Sequence, residues 1–130
     1  MRILIVRLSA LGDIVHALPV LAAIRAAMPD ATVDWLVEEN YASILSMATG
    51  LRRRVIVRGA RSFSTADAIS FGGTWGYVQA VSFLRSQHYD VVLDLQGLIK
   101  SAVWARASGA RRVVGFETAH LREPQAGSLY

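Results

Sequence analysis

Apolar residues occur along this chain in two rhythms. Short unbroken runs, such as Ile3 to Val6, Trp35 to Val37, Val55 to Val57 and Val91 to Leu93, fit strands buried on both faces of a parallel sheet. Between them, Ile14, Leu18, Leu21 and Ala22 recur at helical spacing. The pattern predicts strands over 2–7, 32–37, 53–57, 90–95 and 112–115, and helices over 13–28, 39–48, 75–87 and 98–107. Pro29-Asp30, Thr49-Gly50 and Gly109 supply helix stops, and Thr74 is placed to cap the third helix. Residues 59–73, rich in Gly, Ser and Ala, read as an open loop, either a plain linker or a lid over a long substrate. Residues 116–130 show no clear period.

Strands alternating with helices predict an α/β fold, a Rossmann-like parallel sheet with helices on both faces and right-handed crossovers. In such sheets ligands bind at the carboxyl edge, where strands run into helices. The earliest such junction is Ser9-Ala10-Leu11-Gly12, with Asp13 opening the helical pattern. Ser9, Gly12, Asp13 and His16 therefore form the first candidate cluster. Asp13 is open to two readings. An aspartate at a helix start accepts backbone N–H bonds as a cap, and the same carboxylate inside a closed cleft is able to act as a general base. His16, one turn later, either orients that carboxylate, touches substrate, or simply packs on the helix surface.

The same edge collects Glu38, Glu39, Arg58, Arg61, Gln96, Lys100 and Arg122. Its cations form a rim that suits carboxylates or phosphates. Gln96-Gly97 is either a close backbone approach to a ligand or an ordinary strand-to-helix turn. Arg52, Arg53 and Arg54 precede a strand and so belong at the opposite edge, as a solvated strand entry or an accessory anion contact. Trp35, Trp75 and Trp104 read as core or domain-contact residues. An acidic pair after the second strand is where dinucleotide folds bind ribose, but the first turn holds only one glycine and lacks G-x-G-x-x-G.

The 130 residues suit one domain, and the balance of 53% apolar against 18% charged residues fits either a large core or a surface that meets a further domain. The lack of a closing helix after the fifth strand points the same way. A net charge of +4 favours anionic partners. With no cysteine, disulfides, zinc-thiolate sites and thiol nucleophiles are excluded, which fits a reducing cytoplasm. The opening residues read as a core strand rather than a signal peptide. Every apolar run is far short of the ~20 residues of a membrane span, so any membrane contact is expected to be peripheral. Aromatic and basic residues are not interleaved, and no nucleic-acid-binding motif is present.

The blocks SALGDIVHALPVLAAIR, DWLVEE, DVVLDLQGLIKSA and GFETAHLREP, in this order, resemble the bacterial lipopolysaccharide heptosyltransferases of glycosyltransferase family 9. The resemblance covers nearly the whole chain and lies nearest the heptosyltransferase I members. It implies the N-terminal, acceptor-binding half of a GT-B enzyme over 1–130, with the C-terminal nucleotide-sugar-binding domain absent and the fragment inactive alone. The implied reaction transfers L-glycero-D-manno-heptose from ADP-heptose to Kdo of the inner core, with inversion. Asp13 takes the place of the general base of the S-x-L-G-D turn. Ser9, Gly12, His16, Arg61, Gln96, Lys100 and Arg122 are the implied substrate-binding positions. No metal or cofactor is implied. The implied partners are ADP-heptose, Kdo-lipid A and the inner face of the cytoplasmic membrane. Two other readings stay open: a family 9 enzyme with a different acceptor, and a non-catalytic anion- or nucleotide-binding module.

Overall fold

The computed structural model describes residues 1–59 and 62–115. Arg61, Arg122 and the rest of 116–130 lie outside the described residues. The elements are β1 (Arg2–Val6), α1 (Leu11–Ala27), β2 (Thr32–Glu38), a 3₁₀ segment (Glu39–Met47), β3 (Arg53–Gly59), β4 (Phe63–Ser64), β5 (Ala68–Gly72), α2 (Gly76–Ser86), β6 (Val91–Asp94), α3 (Ile99–Ala107) and β7 (Arg112–Val114). Among the described residues they form one seven-stranded sheet in the order β4-β5-β3-β2-β1-β6-β7. All pairings are parallel except the short antiparallel β4–β5 pair at one edge.

β1 is central. Ile3 pairs with Val33 of β2 on one side and Val91 of β6 on the other. Its side chains alternate between two cores, as a strand's period of two requires. Ile3 and Ile5 pack with Ile14, Leu21 and Ile24 of α1 and with Leu45 of the 3₁₀ segment. Leu4 and Val6 pack on the other face with Ala80 and Leu84 of α2 and Trp104 and Ala105 of α3. The expected helices on both faces are present.

Four features differ from the sequence reading. Helix α2 begins at Gly76 with Trp75, not Thr74, at its N-cap position, and no side chain caps it. The expected loop over 59–73 contains β4 and β5, and β5 adds a parallel strand beside β3. Small Ala68 and Ser70 are buried while Ile69 and Phe71 are only partly so, a strand alternation that the composition conceals. The predicted α-helix over 39–48 is 3₁₀, in keeping with the modest helix propensity of Asn40, Ser43 and Ser46. The Ser46 hydroxyl donates to the Ser43 carbonyl at 2.6 Å, which favours a tight turn. Helix α1 begins at Leu11, and its N-cap position is Ala10 rather than a residue beside Asp13.

The triple arginine is neither a solvated strand entry nor a free anion contact. Arg52 makes a two-pronged contact with the buried Asp34 carboxylate at 2.9 and 2.5 Å. The Tyr89 hydroxyl donates to the same carboxylate at 2.6 Å. Arg54 donates to the Ala42 carbonyl at 3.1 Å, and the Arg53 guanidinium lies over the Phe83 ring at 5.2 Å. A buried carboxylate is costly unless paired and hydrogen-bonded, and Arg52 and Tyr89 meet that need at Asp34. Trp35 and Trp104 are buried, as expected of core residues, whereas Trp75 is 70% exposed.

Candidate functional site

The strand order changes direction at β1: the chain passes from β1 to β2 on one side and later returns to β6 on the other. Helix α1 leaves β1 toward one face of the sheet, and α3 leaves β6 toward the opposite face. A crevice opens at the carboxyl edge where such connections diverge. Backbone bonds tie the three strand ends together there. Glu38 donates to Leu8 at 3.1 Å, and Leu95 donates to Val6 at 3.0 Å.

Asp13 occupies the first turn of α1 at this edge, half-buried. Its Oδ2 lies 2.7 Å from Nη2 of Arg7. Arg7 is buried, and its Nη1 donates to the Leu95 carbonyl at 2.6 Å. One guanidinium thus joins β1, the turn after β6 and the first turn of α1. This fixes where the Asp13 carboxylate sits. The field of the α1 N-terminus favours the same negative charge. Gly12 is exposed at the start of α1, and a Cβ there would meet no atom within 4 Å beyond its chain neighbours and the helix's own backbone.

Gln96 is buried, and its Oε1 accepts from the Leu8 amide at 2.7 Å. The side chain holds the first turn against the fourth-strand turn, and its backbone lies beside Gly97 at φ +74°. Below it, the buried Asp94 carboxylate accepts from the amides of Gln96 and Gly97 at 2.9 and 3.3 Å and from the Ser101 hydroxyl at 3.0 Å. These bonds set the start of α3 and hence the position of Lys100. Lys100 Nζ donates to Glu38 Oε1 at 2.6 Å, and Arg58 Nη1 lies 3.6 Å from Glu38 Oε2. The rim therefore consists of a carboxylate (Glu38) held between two cations.

The fold brings Ser9, Gly12, Asp13, Gln96 and Lys100 to one edge, as anticipated. His16 is exposed farther along α1. Arg7, which pairs with Asp13, was read only as the last residue of a strand. The available signal was an arginine closing an apolar run directly before the turn. Asp94 and Ser101 were also missed, because their work lies beneath the surface.

Residues 79–129 match the sequence model of Glycosyltransferase family 9 (heptosyltransferase). The whole chain is 35% identical to lipopolysaccharide heptosyltransferase 1 of Pseudomonas aeruginosa, covering 36% of that protein. It is 37% identical to the Escherichia coli K12 protein of the same name, covering 40% of it. The solved structure of E. coli heptosyltransferase WaaC with ADP superposes on the whole chain with a TM-score of 0.75 at 30% identity, and 39% of that structure is covered. Its form with ADP-2-deoxy-2-fluoro heptose gives 0.74 at 28% identity. The chain thus spans about two fifths of the length of these relatives. Over its full length the chain resembles the lipopolysaccharide heptosyltransferases of glycosyltransferase family 9, and its Rossmann-like fold is consistent with the N-terminal half of a GT-B enzyme.

Proposed function

We propose that this chain is the acceptor-binding unit of an inverting heptosyltransferase of the lipopolysaccharide core. The donor is ADP-L-glycero-D-manno-heptose, and the acceptor is a Kdo hydroxyl of Kdo-lipid A, met at the inner face of the cytoplasmic membrane. The observation that carries this reading is the Asp13 carboxylate held by buried Arg7 at the switch point of the sheet, in a chain similar throughout to heptosyltransferase 1.

Asp13 accepts the proton of the attacking hydroxyl. The oxygen bonds to the anomeric carbon from the face opposite ADP, the glycosidic bond to phosphate breaks, and ADP leaves with the electron pair. General-base assistance of this kind contributes about 10²–10⁴-fold, and alignment of the two substrates supplies much of the remainder. Lys100 meets an acidic group of the acceptor, which takes over from, or shares, the contact with Glu38. Arg61 and Arg122 are assigned to the acceptor by the resemblance alone. Most of the contacts to ADP belong to a second, nucleotide-sugar-binding domain.

The test is Asp13→Asn in the intact transferase. Both substrates are expected to bind normally while transfer falls about 10²–10⁴-fold. Turnover close to wild type would remove Asp13 from the chemistry. Comparing Kdo-lipid A with an already heptosylated acceptor decides the acceptor: faster turnover of the heptosylated one would assign the chain to a later step of core assembly.

A further inference from the structure

The two turns that flank the crevice are clasped to each other by side chains working in opposite directions. Arg7, the residue after β1, sends Nη1 to the Leu95 carbonyl, just past β6, at 2.6 Å. Gln96, the next residue on, receives the Leu8 amide on its Oε1 at 2.7 Å. Residues 7 and 8 are thereby tied to residues 95 and 96 by one bond each way. Both side chains lie inside the protein, Arg7 at 5% and Gln96 at 2% exposure. On the other flank β2 holds the Arg7 backbone. The Arg7 amide donates to the Leu36 carbonyl at 3.3 Å, and its carbonyl accepts from the indole of buried Trp35 at 3.1 Å.

A buried guanidinium is an expensive way to close a strand, since apolar side chains would do so without desolvating a charge. Its geometry suggests what it is for. The guanidinium is planar, so anchoring Nη1 on Leu95 leaves Nη2 little freedom of direction, and Nη2 meets the Asp13 carboxylate at 2.7 Å. A reacting group has to be held to a fraction of an ångström, and such precision comes from supporting residues that are themselves locked. We infer that Arg7 and Gln96 are positioning residues for the transfer step: their clasp aims the Asp13 carboxylate at the acceptor hydroxyl. Gln96 acts through this clasp and not as a contact to substrate, in keeping with its burial and its bond to Leu8. The assignment rests on the reading of Asp13 as the base.

The test is a set of double-mutant cycles in the intact transferase, with ADP-heptose and Kdo-lipid A as substrates. Arg7→Met and Gln96→Met are each expected to lower kcat about 10–100-fold while both KM values stay within about threefold. Arg7→Lys, which keeps the charge beside Asp13 but lacks the second prong, is expected to recover turnover to within about fivefold of wild type. In an Asp13→Asn background none of the three should lower kcat further, because residues that act through one group are not additive. Melting curves identify variants that do not fold. Should Arg7→Met be one of them, the cycle is read from Arg7→Lys, whose smaller loss must likewise vanish beside Asp13→Asn. Losses that multiply in the Asp13→Asn background would show a general structural role and overturn the inference. A raised KM for Gln96→Met at constant kcat would return Gln96 to the substrate and overturn it too. Loss of turnover in Asp13→Asn with none in the Arg7 and Gln96 variants would sink the clasp alone. Full turnover in Asp13→Asn, or no transfer by the wild-type protein, would sink the base and the clasp together.

Discussion

Arg7 and Asp34 show how single charges are handled inside this fold. Both are buried, and each is held by named partners, Arg7 by Asp13 and the Leu95 carbonyl, Asp34 by Arg52 and Tyr89. Tyr89 makes the consequence measurable. Burial, and then the Asp34 carboxylate beside it, push its hydroxyl well above the ordinary tyrosine value of 10.0. The folded chain therefore keeps a proton that the unfolded chain loses above about pH 10. Folding then binds a proton, so this contribution is complete below that pH and declines as pH rises beyond it. Tyr89→Phe is expected to cost about 1–2 kcal/mol at neutral pH through the lost hydrogen bond. It should also flatten the alkaline fall in stability, measured by urea unfolding between about pH 7 and about pH 11. An alkaline slope as steep as wild type would show that Tyr89 is not its source.

At the scale of elements, the start of α3 depends on Ser101. Its buried hydroxyl accepts from the Leu98 amide at 3.1 Å and has two acceptors for its one proton, the Asp94 carboxylate at 3.0 Å and the Leu98 carbonyl at 2.8 Å. Ser101→Ala is expected to destabilise the protein by about 1–3 kcal/mol and to loosen the position of Lys100. Under the proposed transferase function, this should appear in the intact protein as a raised acceptor KM with a smaller effect on kcat. An unchanged midpoint of unfolding would refute the capping role. The main elements were legible because apolar runs and helical spacing report burial directly. β5 was not legible, since Ala68, Ser70 and Gly72 lack the bulk that marks a strand, and its identity comes from pairing with β3. The site shows the same division. Asp13, Gln96 and Lys100 follow from strand polarity, whereas the Arg7–Asp13 pair and the Glu38–Lys100 pair depend on which strands are neighbours, a matter of topology that spacing along the chain does not encode.

For the whole molecule, the sheet order predicts a gradient of local stability. β1 and β2 are paired on both sides and buried under helices, whereas among the described residues β4 and β7 lie at the edges and are short. Amide hydrogen exchange should be slowest in Ile3 to Val6 and Val33 to Val37 and fastest in β4 and β7. Protection of β7 equal to that of β1 would contradict this ordering. The central place of β1 has a further consequence during synthesis. It is synthesised before both of its partners, and one of them, β6, is made almost ninety residues later. At about 5–20 residues per second, translation keeps that flank of the nascent strand unclaimed for several seconds. During that interval the newborn chain exposes an aggregation-prone edge, a natural point for a holding chaperone to engage.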